Sequence, residues 1–343
     1  MFDKLHIGVM GLTHDHIWGE LKHVEWCPDA DIVAAADGHA PLLSRVEESS
    51  GCHIYENPQS MLDEQKTINA VWLFSDNAAN VEYAEMAAER GLHIMVEKPM
   101  AHSLAGAERM LSASQKHNVR LMINWPFAWW PQLQHAIIIA QSGELGDIWQ
   151  VKYRAAHGGP RELGCSEYFC DWLYDADRNG GGAMLDYCCY GTLLARILLG
   201  MPARVYGTRG KLCKDDITVE DNGMIVMSYP NAIAVSEGSW TQIGKLSSYV
   251  TMIYGTKGTL MVEPRIGGRL LEATSDEPDG VEVDVQTPPS HLQNSCAHFV
   301  QGIKTGAPFM QLCEEGNCRD AQEILEAGLR SADRGAEVTV PLG

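Results

Sequence analysis

Leu5-His6-Ile7-Gly8-Val9-Met10-Gly11-Leu12-Thr13-His14-Asp15-His16-Ile17-Trp18 is the stretch whose reading decides the fold. Leu5–Met10 is a short apolar run, Gly11 opens a turn, and residues 17–25 read as a helix. A buried strand passing through a glycine turn into a helix is the opening unit of a doubly wound α/β sheet. Glycine at such a turn lets backbone N–H groups and the helix N-terminus approach a phosphate. Against the spacing G-x-G-x-x-G, Gly11 fills the first place, while Thr13 and His16 take the other two. Taken alone, the turn fits an ordinary strand–helix connection equally well.

Outward from this turn, the second apolar run, Asp31–Ala36, ends in Asp37. An acid roughly twenty residues past the turn is placed to hydrogen-bond the ribose hydroxyls of a dinucleotide. A third run, Ile68–Ser75, leads into a helix over 78–90 with Val81, Ala84, Ala87 and Ala88 on one side and Gly91 as its stop. Leu92–Val96, a helix over Leu104–His117 and Val119–Ile123 continue the alternation, which implies a parallel sheet covered on both faces. The expected cofactor-binding residues are Gly11, Thr13, His14, Asp37, Ser75, Asn77, Glu97 and Lys98. The cofactor expected there is NAD rather than NADP, because Asp37 repels a 2′-phosphate and Gly38-His39-Ala40 offers no arginine to bind one. His14 and His16 are a possible metal pair, but no partner cluster lies nearby in sequence; they are read as helix-start residues and no metal is expected.

After about residue 124 the rhythm changes. Trp149–Ala156, Ala203–Thr208, Gly223–Tyr229, Ala232–Thr241, Ser247–Tyr254 and Thr259–Val262 read as strands joined by short turns, with helices near 182–199 and 319–334. The fold class expected is therefore α/β: an N-terminal Rossmann-type doubly wound parallel sheet, then an α+β domain with a largely antiparallel open sheet. The boundaries are 1–123 for the dinucleotide-binding domain and 124–343 for a substrate-binding and oligomerisation domain, whose closing helix packs back on the first.

Composition narrows the function classes. The 343 residues are 45% hydrophobic and 21% charged, as in a globular protein of two domains, and carry a formal net charge of −19. Such an acidic surface repels phosphate backbones and anionic lipid, so neither nucleic acid nor membrane is expected as a partner. No basic segment followed by a long apolar stretch opens the chain, and no apolar run looks long enough to span a bilayer; a cytoplasmic protein is expected. Ten cysteines, with Cys188 and Cys189 adjacent, form no C-x-x-C pair. Reduced, buried thiols are the expectation, ahead of zinc at Cys165…Cys170 or Cys313…Cys318.

Three further segments carry a resemblance: Glu97-Lys98-Pro99 at the end of the fourth strand, Gly180-Gly181-Gly182-Ala183-Met184-Leu185-Asp186, and Asn124-Trp125-Pro126 between them. Together with the first turn they resemble the Gfo/Idh/MocA family of glucose–fructose oxidoreductases, inositol dehydrogenases and related enzymes, over nearly the whole chain. The resemblance implies catalytic roles for Lys98, Asp186 and Tyr190. Family members usually carry histidine where Tyr190 stands, but the glucose–fructose oxidoreductase and dihydrodiol dehydrogenase branches are similar in using tyrosine. Asp186 and Tyr190, four apart on a helix, share one face. An ammonium at Lys98 is able to polarise a carbonyl and to lower a neighbouring phenol from about 10 toward the working range. Asn124 and Trp125 fall where the family has an Asn-x-Arg segment beside substrate, although Pro126 replaces that arginine. The substrate-binding set is thus Lys98, Asn124, Trp125, His157, Asp186 and Tyr190, with the 157–172 insertion as a loop over the site.

These readings point to an NAD(H)-dependent oxidoreductase that transfers hydride to or from a hydroxyl or carbonyl carbon of a sugar, inositol or sugar derivative. The alternatives are an NAD-dependent glycosidase or lyase of the same family, or a non-catalytic dinucleotide-binding regulator. A homodimer or homotetramer through the second sheet is what the resemblance implies.

Overall fold

Strand β1 (Leu5–Met10) is buried along its length except at half-buried His6, as a strand covered on both faces requires. At Gly11 the backbone turns left-handed, φ +84°, and an added Cβ would stand 2.5 Å from the Ser75 side chain. Only glycine permits that approach. The computed structural model describes residues 4–343; residues 1–3, where the first-domain reading begins, lie outside the described residues.

The chain continues through α1 (Ile17–Val24), β2 (Ala30–Ala36), α2 (Ala40–Ser50), β3 (His53–Tyr55), α3 (Pro58–Glu64), β4 (Ala70–Leu73), α4 (Asn77–Glu89), β5 (His93–Glu97), α5 (Leu104–Lys116) and β6 (Leu121–Asn124). The six strands form a parallel sheet in the order β3-β2-β1-β4-β5-β6, the Rossmann order, with the strand order reversing between β1 and β4. The α2–β3–α3 passage was not read from the sequence: three residues of β3 are too few for an alternation to show.

A 3₁₀ turn at Pro126–Trp129 and helix α6 (Pro131–Ser142) lead into the second sheet. Its elements are β7 (Ile148–Ala156), α7 (Glu167–Leu173), α8 (Ala176–Asn179), α9 (Ala183–Leu199), β8 (Arg204–Gly210), β9 (Asn222–Ser228), β10 (Ile233–Ser239), β11 (Tyr249–Gly255), β12 (Gly258–Val262), β13 (Leu270–Thr274), β14 (Val281–Glu282), α10 (Ser295–Thr305), α11 (Glu315–Arg334) and β15 (Val338–Thr339). The sheet runs β14-β13-β12-β11-β7-β10-β9-β8-β15 and is antiparallel except at β7–β10. Helices α9 and α11 cover one face, and α11 also packs on α5 of the first half, where Arg319 holds Glu108 at 2.6 Å.

One departure from the sequence reading concerns the interior. Residues 176–199 are, by length and composition, apolar enough to cross a bilayer, contrary to expectation. That window is 72% buried within the protein, so its apolar character is that of a core helix. All ten thiols are free, and burial pushes Cys165 and Cys170 up to about 12 and about 11, which leaves them protonated and inert.

His298 in α10 makes the fold acid-sensitive. Its Nε2 accepts the Met310 N–H at 2.9 Å while its Nδ1 lies 3.2 Å from the His291 carbonyl, so the ring is held neutral. Burial lowers it to about 4. The unfolded chain takes up this proton first, near 6.5, so the stability is full above that pH and is lost as the pH falls through 4. The loss should be about 3 kcal/mol. Urea unfolding at pH 7 and pH 4, repeated with His298→Gln, should show the acid-induced loss shrinking by that amount in the variant.

Candidate active site

The end of β5 and the start of α9 build the centre. Gly180 adopts φ +98°, and a Cβ there would come within 2.1 Å of the His102 carbonyl oxygen. This close approach brings the first turn of α9 against the segment that follows β5. As a result Lys98 and Asp186, 88 residues apart, meet: Lys98 Nζ donates to Asp186 Oδ1 at 2.6 Å and to the Asp186 carbonyl at 3.3 Å. Both side chains are buried. Burial alone would pull the ammonium down, but the Asp186 carboxylate outweighs it and holds Lys98 above the ordinary lysine value. Trp240 Nε1 donates to Asp186 Oδ2 at 3.2 Å and so fixes the carboxylate's orientation.

A cavity of about 280 Å³ opens on this pair. Its polar lining includes His16, Lys98, His157, Asp186, Tyr187 and Tyr190, and Trp130, Tyr153, Phe169 and Tyr249 contribute aromatic walls. Tyr187 was not singled out from the sequence, yet its hydroxyl lies 2.6 Å from His157 Nε2. His157 Nδ1 accepts the Gly159 N–H at 2.9 Å. The neutral ring therefore carries its proton on Nε2 and donates it to Tyr187, leaving the phenol hydrogen free to point elsewhere. Burial lowers His157 below the ordinary histidine value, partly offset by Asp186.

Three expectations need correction. Lys98 Nζ sits 5.1 Å from the centre of the Tyr190 ring, a cation–π position, rather than at its hydroxyl. Burial, followed by Tyr153 and Cys189, pushes the Tyr190 phenol well above its ordinary value, so the expected lowering by Lys98 does not occur. Asn124 is not on the cavity wall: its amide is buried, donating to Glu97 Oε2 at 2.8 Å and Glu20 Oε1 at 3.0 Å and accepting from Trp129 Nε1 at 2.9 Å. Trp125 is buried as well, with its indole N–H on Cys318 Sγ at 3.4 Å and its ring against Tyr190. Both turn inward because β6 and the turn after it lie under α11, and Pro126 and Trp130 reach the cavity instead.

The expected cofactor residues gather at the strand ends around the first turn. Asp37 Oδ2 accepts the Leu12 N–H at 2.7 Å and Oδ1 accepts the His39 N–H at 2.8 Å. Thr13 Oγ1 and Asn77 Oδ1 are buried without a hydrogen-bond partner, which is how a crevice built for a polar ligand looks. A dinucleotide fits this donor set. The inserted segment from His157 is not a plain loop, since it contains α7, and it also lies across this turn. Ser166 N–H and Oγ both donate to the Asp15 carboxylate at 2.6 Å, Phe169 packs on His14 and Tyr168 on His39. Thr13, His14, Asp37, Ser75 and Asn77 are all buried.

His14 and His16 do have a third partner, which the sequence did not reveal because it arrives from β5. One ligand atom each from His14, His16 and Glu97 lies within 4.8 Å of the others. The set is closed by hydrogen bonds: His16 Nδ1 to Glu97 Oε1 at 2.9 Å, and His16 N–H to His14 Nδ1 at 3.3 Å. Burial, then His16 and Lys98, lowers His14 well below its ordinary value and keeps it neutral.

Known proteins resemble both halves of the chain. Residues 5–125 match the family model described as oxidoreductase family, NAD-binding Rossmann fold, and residues 133–261 match the GFO/IDH/MocA C-terminal domain. The chain is 30% identical over 227 residues to D-xylose 1-dehydrogenase [NADP(+)] of Haloarcula marismortui, covering 64% of this chain and 60% of that protein. It is 29% identical over 341 residues to D-xylose 1-dehydrogenase (NADP(+)) 2 of Haloferax volcanii, covering 96% and 98%. Among solved structures, aldose–aldose oxidoreductase from Caulobacter crescentus complexed with glycerol superposes with a TM-score of 0.83 at 22% identity, covering 98% of this chain and 100% of that one.

Proposed function

The chain belongs to the Gfo/Idh/MocA family of oxidoreductases, and we propose that it moves hydride to or from a CH–OH carbon of a sugar or sugar derivative, using NAD(H). The observation that carries this reading is the buried Lys98–Asp186 pair, 2.6 Å apart on the wall of a cavity lined by tyrosines. A nicotinamide dinucleotide, when bound, supplies the hydride acceptor or donor. Gly11, Thr13, Asp37, Ser75 and Asn77 are the residues that would hold it, with Glu97 and Lys98 at its reactive end.

In this reading the protein's own groups do the rest. Lys98⁺ donates to the substrate oxygen and stabilises charge that develops there, and Asp186 holds that ammonium in place. Tyr187, whose phenol burial and Asp186 hold in its protonated form, donates to the same oxygen, and neutral His157 steadies that phenol by donating to it from Nε2. Aromatic walls at Trp130 and Tyr153 suit the apolar face of a sugar ring. The relatives named for D-xylose support a sugar substrate.

Mass spectrometry of the purified protein for retained nucleotide, followed by a sugar and polyol panel read at the NADH absorbance, tests the reading. Net NADH formation separates a dehydrogenase from a glycosidase that returns its hydride. No turnover on any member, with nucleotide bound, would favour the regulator.

The cofactor preference is tested separately. Asp37 accepts hydrogen bonds at the end of β2, where a carboxylate disfavours a 2′-phosphate, and NADH should bind at least about tenfold more tightly than NADPH, or about 1.4 kcal/mol. The named relatives use NADP(+), so fluorescence titration with both cofactors is decisive: tighter NADPH binding overturns the assignment.

We also propose a homodimer or homotetramer through the second sheet. Tyr206, Val226 and Val235 are cross-strand neighbours on the face opposite α9 and α11, an apolar row that a second copy would cover. Light scattering on the eluted protein tests it.

A further inference from the structure

We infer that the substrate carries an anionic group, a carboxylate or phosphate, on an extension beyond the reacting sugar ring, and that Arg265 with Lys245 recognises it. This inference rests on the sugar-oxidoreductase reading above and adds the substrate class to it.

The cavity around Lys98 continues into a larger vestibule of about 860 Å³, and the two share His157, Leu163, Tyr249 and Arg265 on their walls. The inner space is on the scale of a single ring, whereas the vestibule is large enough for a second group of similar size. The charged residues of the vestibule are Glu162, Lys245, Glu263 and Arg265. Both acids are already committed: Glu162 to Lys214, and Glu263 to Arg269, whose Nε is 3.0 Å from Oε1. Among the described residues neither Lys245 nor Arg265 has a carboxylate within salt-bridge distance. In a chain of net charge −19, where most arginines find an acid, two uncommitted cations on one vestibule leave it locally positive.

Arg265 is also held in position. Its φ of +68° is in the left-handed region, which a long side chain adopts only under constraint. The constraint is Gln132, a buried residue of α6, whose Nε2 donates to the Arg265 carbonyl at 2.5 Å and to the Glu263 carbonyl at 2.8 Å. The guanidinium is 5.7 Å from the centre of the Tyr249 ring at the junction of the two spaces. An arginine so placed offers a planar donor fork to a carboxylate or phosphate. It also answers a gap in the sequence: Pro126 stands where the family resemblance puts an arginine, and the same cavity receives a cation from the second sheet instead.

Isothermal titration calorimetry on the intact protein tests this with three probes: a neutral disaccharide, its counterpart ending in a uronic acid, and a nucleoside diphosphate sugar. At least one anionic probe should bind tenfold or more tightly than the neutral one, and the difference should shrink as salt is raised. In Arg265→Gln the ratio should fall toward one, in Lys245→Gln it should fall less, and Arg265→Lys should restore part of it. Which anionic arm binds tells carboxylate from phosphate. Equal binding of all three probes, no binding of either anionic probe, or an unchanged ratio in Arg265→Gln overturns the inference. Because binding is read without turnover, a failure of hydride transfer and a failure of anion recognition show up in different measurements.

Discussion

Replacing Lys98 with methionine is expected to lower turnover by roughly 10²-fold or more while NADH binding changes little, because the ammonium stabilises charge that exists mainly in the transition state. The same change should also cost about 3–5 kcal/mol of stability, since it leaves the Asp186 carboxylate buried without its cation. The two effects are separable. In Lys98→Met/Asp186→Asn the uncompensated charge is gone, so the melting temperature should recover while turnover stays low. Single-turnover kinetics and thermal melts of the single and double variants check both parts. A single variant with near wild-type turnover would return Lys98 to a structural role.

Tyr187→Phe is expected to lower turnover by about 10²–10⁴-fold, the usual worth of a positioned proton donor, with the fold intact because the ring stays. Tyr190→Phe should cost no more than about tenfold, its ring being one wall among several that pack on Lys98 and Tyr153. The opposite ranking would return the proton to Tyr190, as the family resemblance has it. The pH profile adds an independent readout. The support of Tyr187 by His157 uses the neutral ring, whose Nδ1 accepts the Gly159 N–H, and burial lowers that imidazole. The acidic limb should therefore lie below the ordinary value of about 6.5, and it should move or vanish in His157→Gln. A limb unchanged in that variant would remove His157 from the support of Tyr187.

Much of the fold was legible in the sequence because it rests on local rules. The apolar run Leu5–Met10, the turn at Gly11 and Asp37 at the next strand end follow from backbone sterics and hydrophobic periodicity, and these act within about twenty residues. Glu97-Lys98-Pro99 and the three glycines before Asp186 were readable for a similar reason: each marks a place where backbone must turn or approach closely. The elements missed are those with no local signature. The three residues of β3 owe their extended form to pairing with β2, and α7 is held by contacts to Asp15, His14 and His39 from the first half.

The site itself divides along the same line. That Lys98 and Asp186 act together was what the family resemblance implied, and the close approach at Gly180 helps bring them within reach. Which way each side chain faces was not evident, because burial is a property of what packs on top. Asn124 looked like a substrate ligand, but β6 lies under α11 and its amide serves Glu97 and Glu20. Tyr190 looked like an acidified phenol, yet the low-dielectric aromatic box around it outweighs the nearby ammonium. Tyr187, His16 with Glu97, and Arg265 acquire partners from segments distant in sequence, and no spacing rule encodes those distances. The sequence by itself determined the strand–turn–helix order and the residues able to do the chemistry. Only tertiary packing decided which of them face the cavity, since dielectric, hydrogen-bond partners and direction are set by neighbours that the chain brings in from far away.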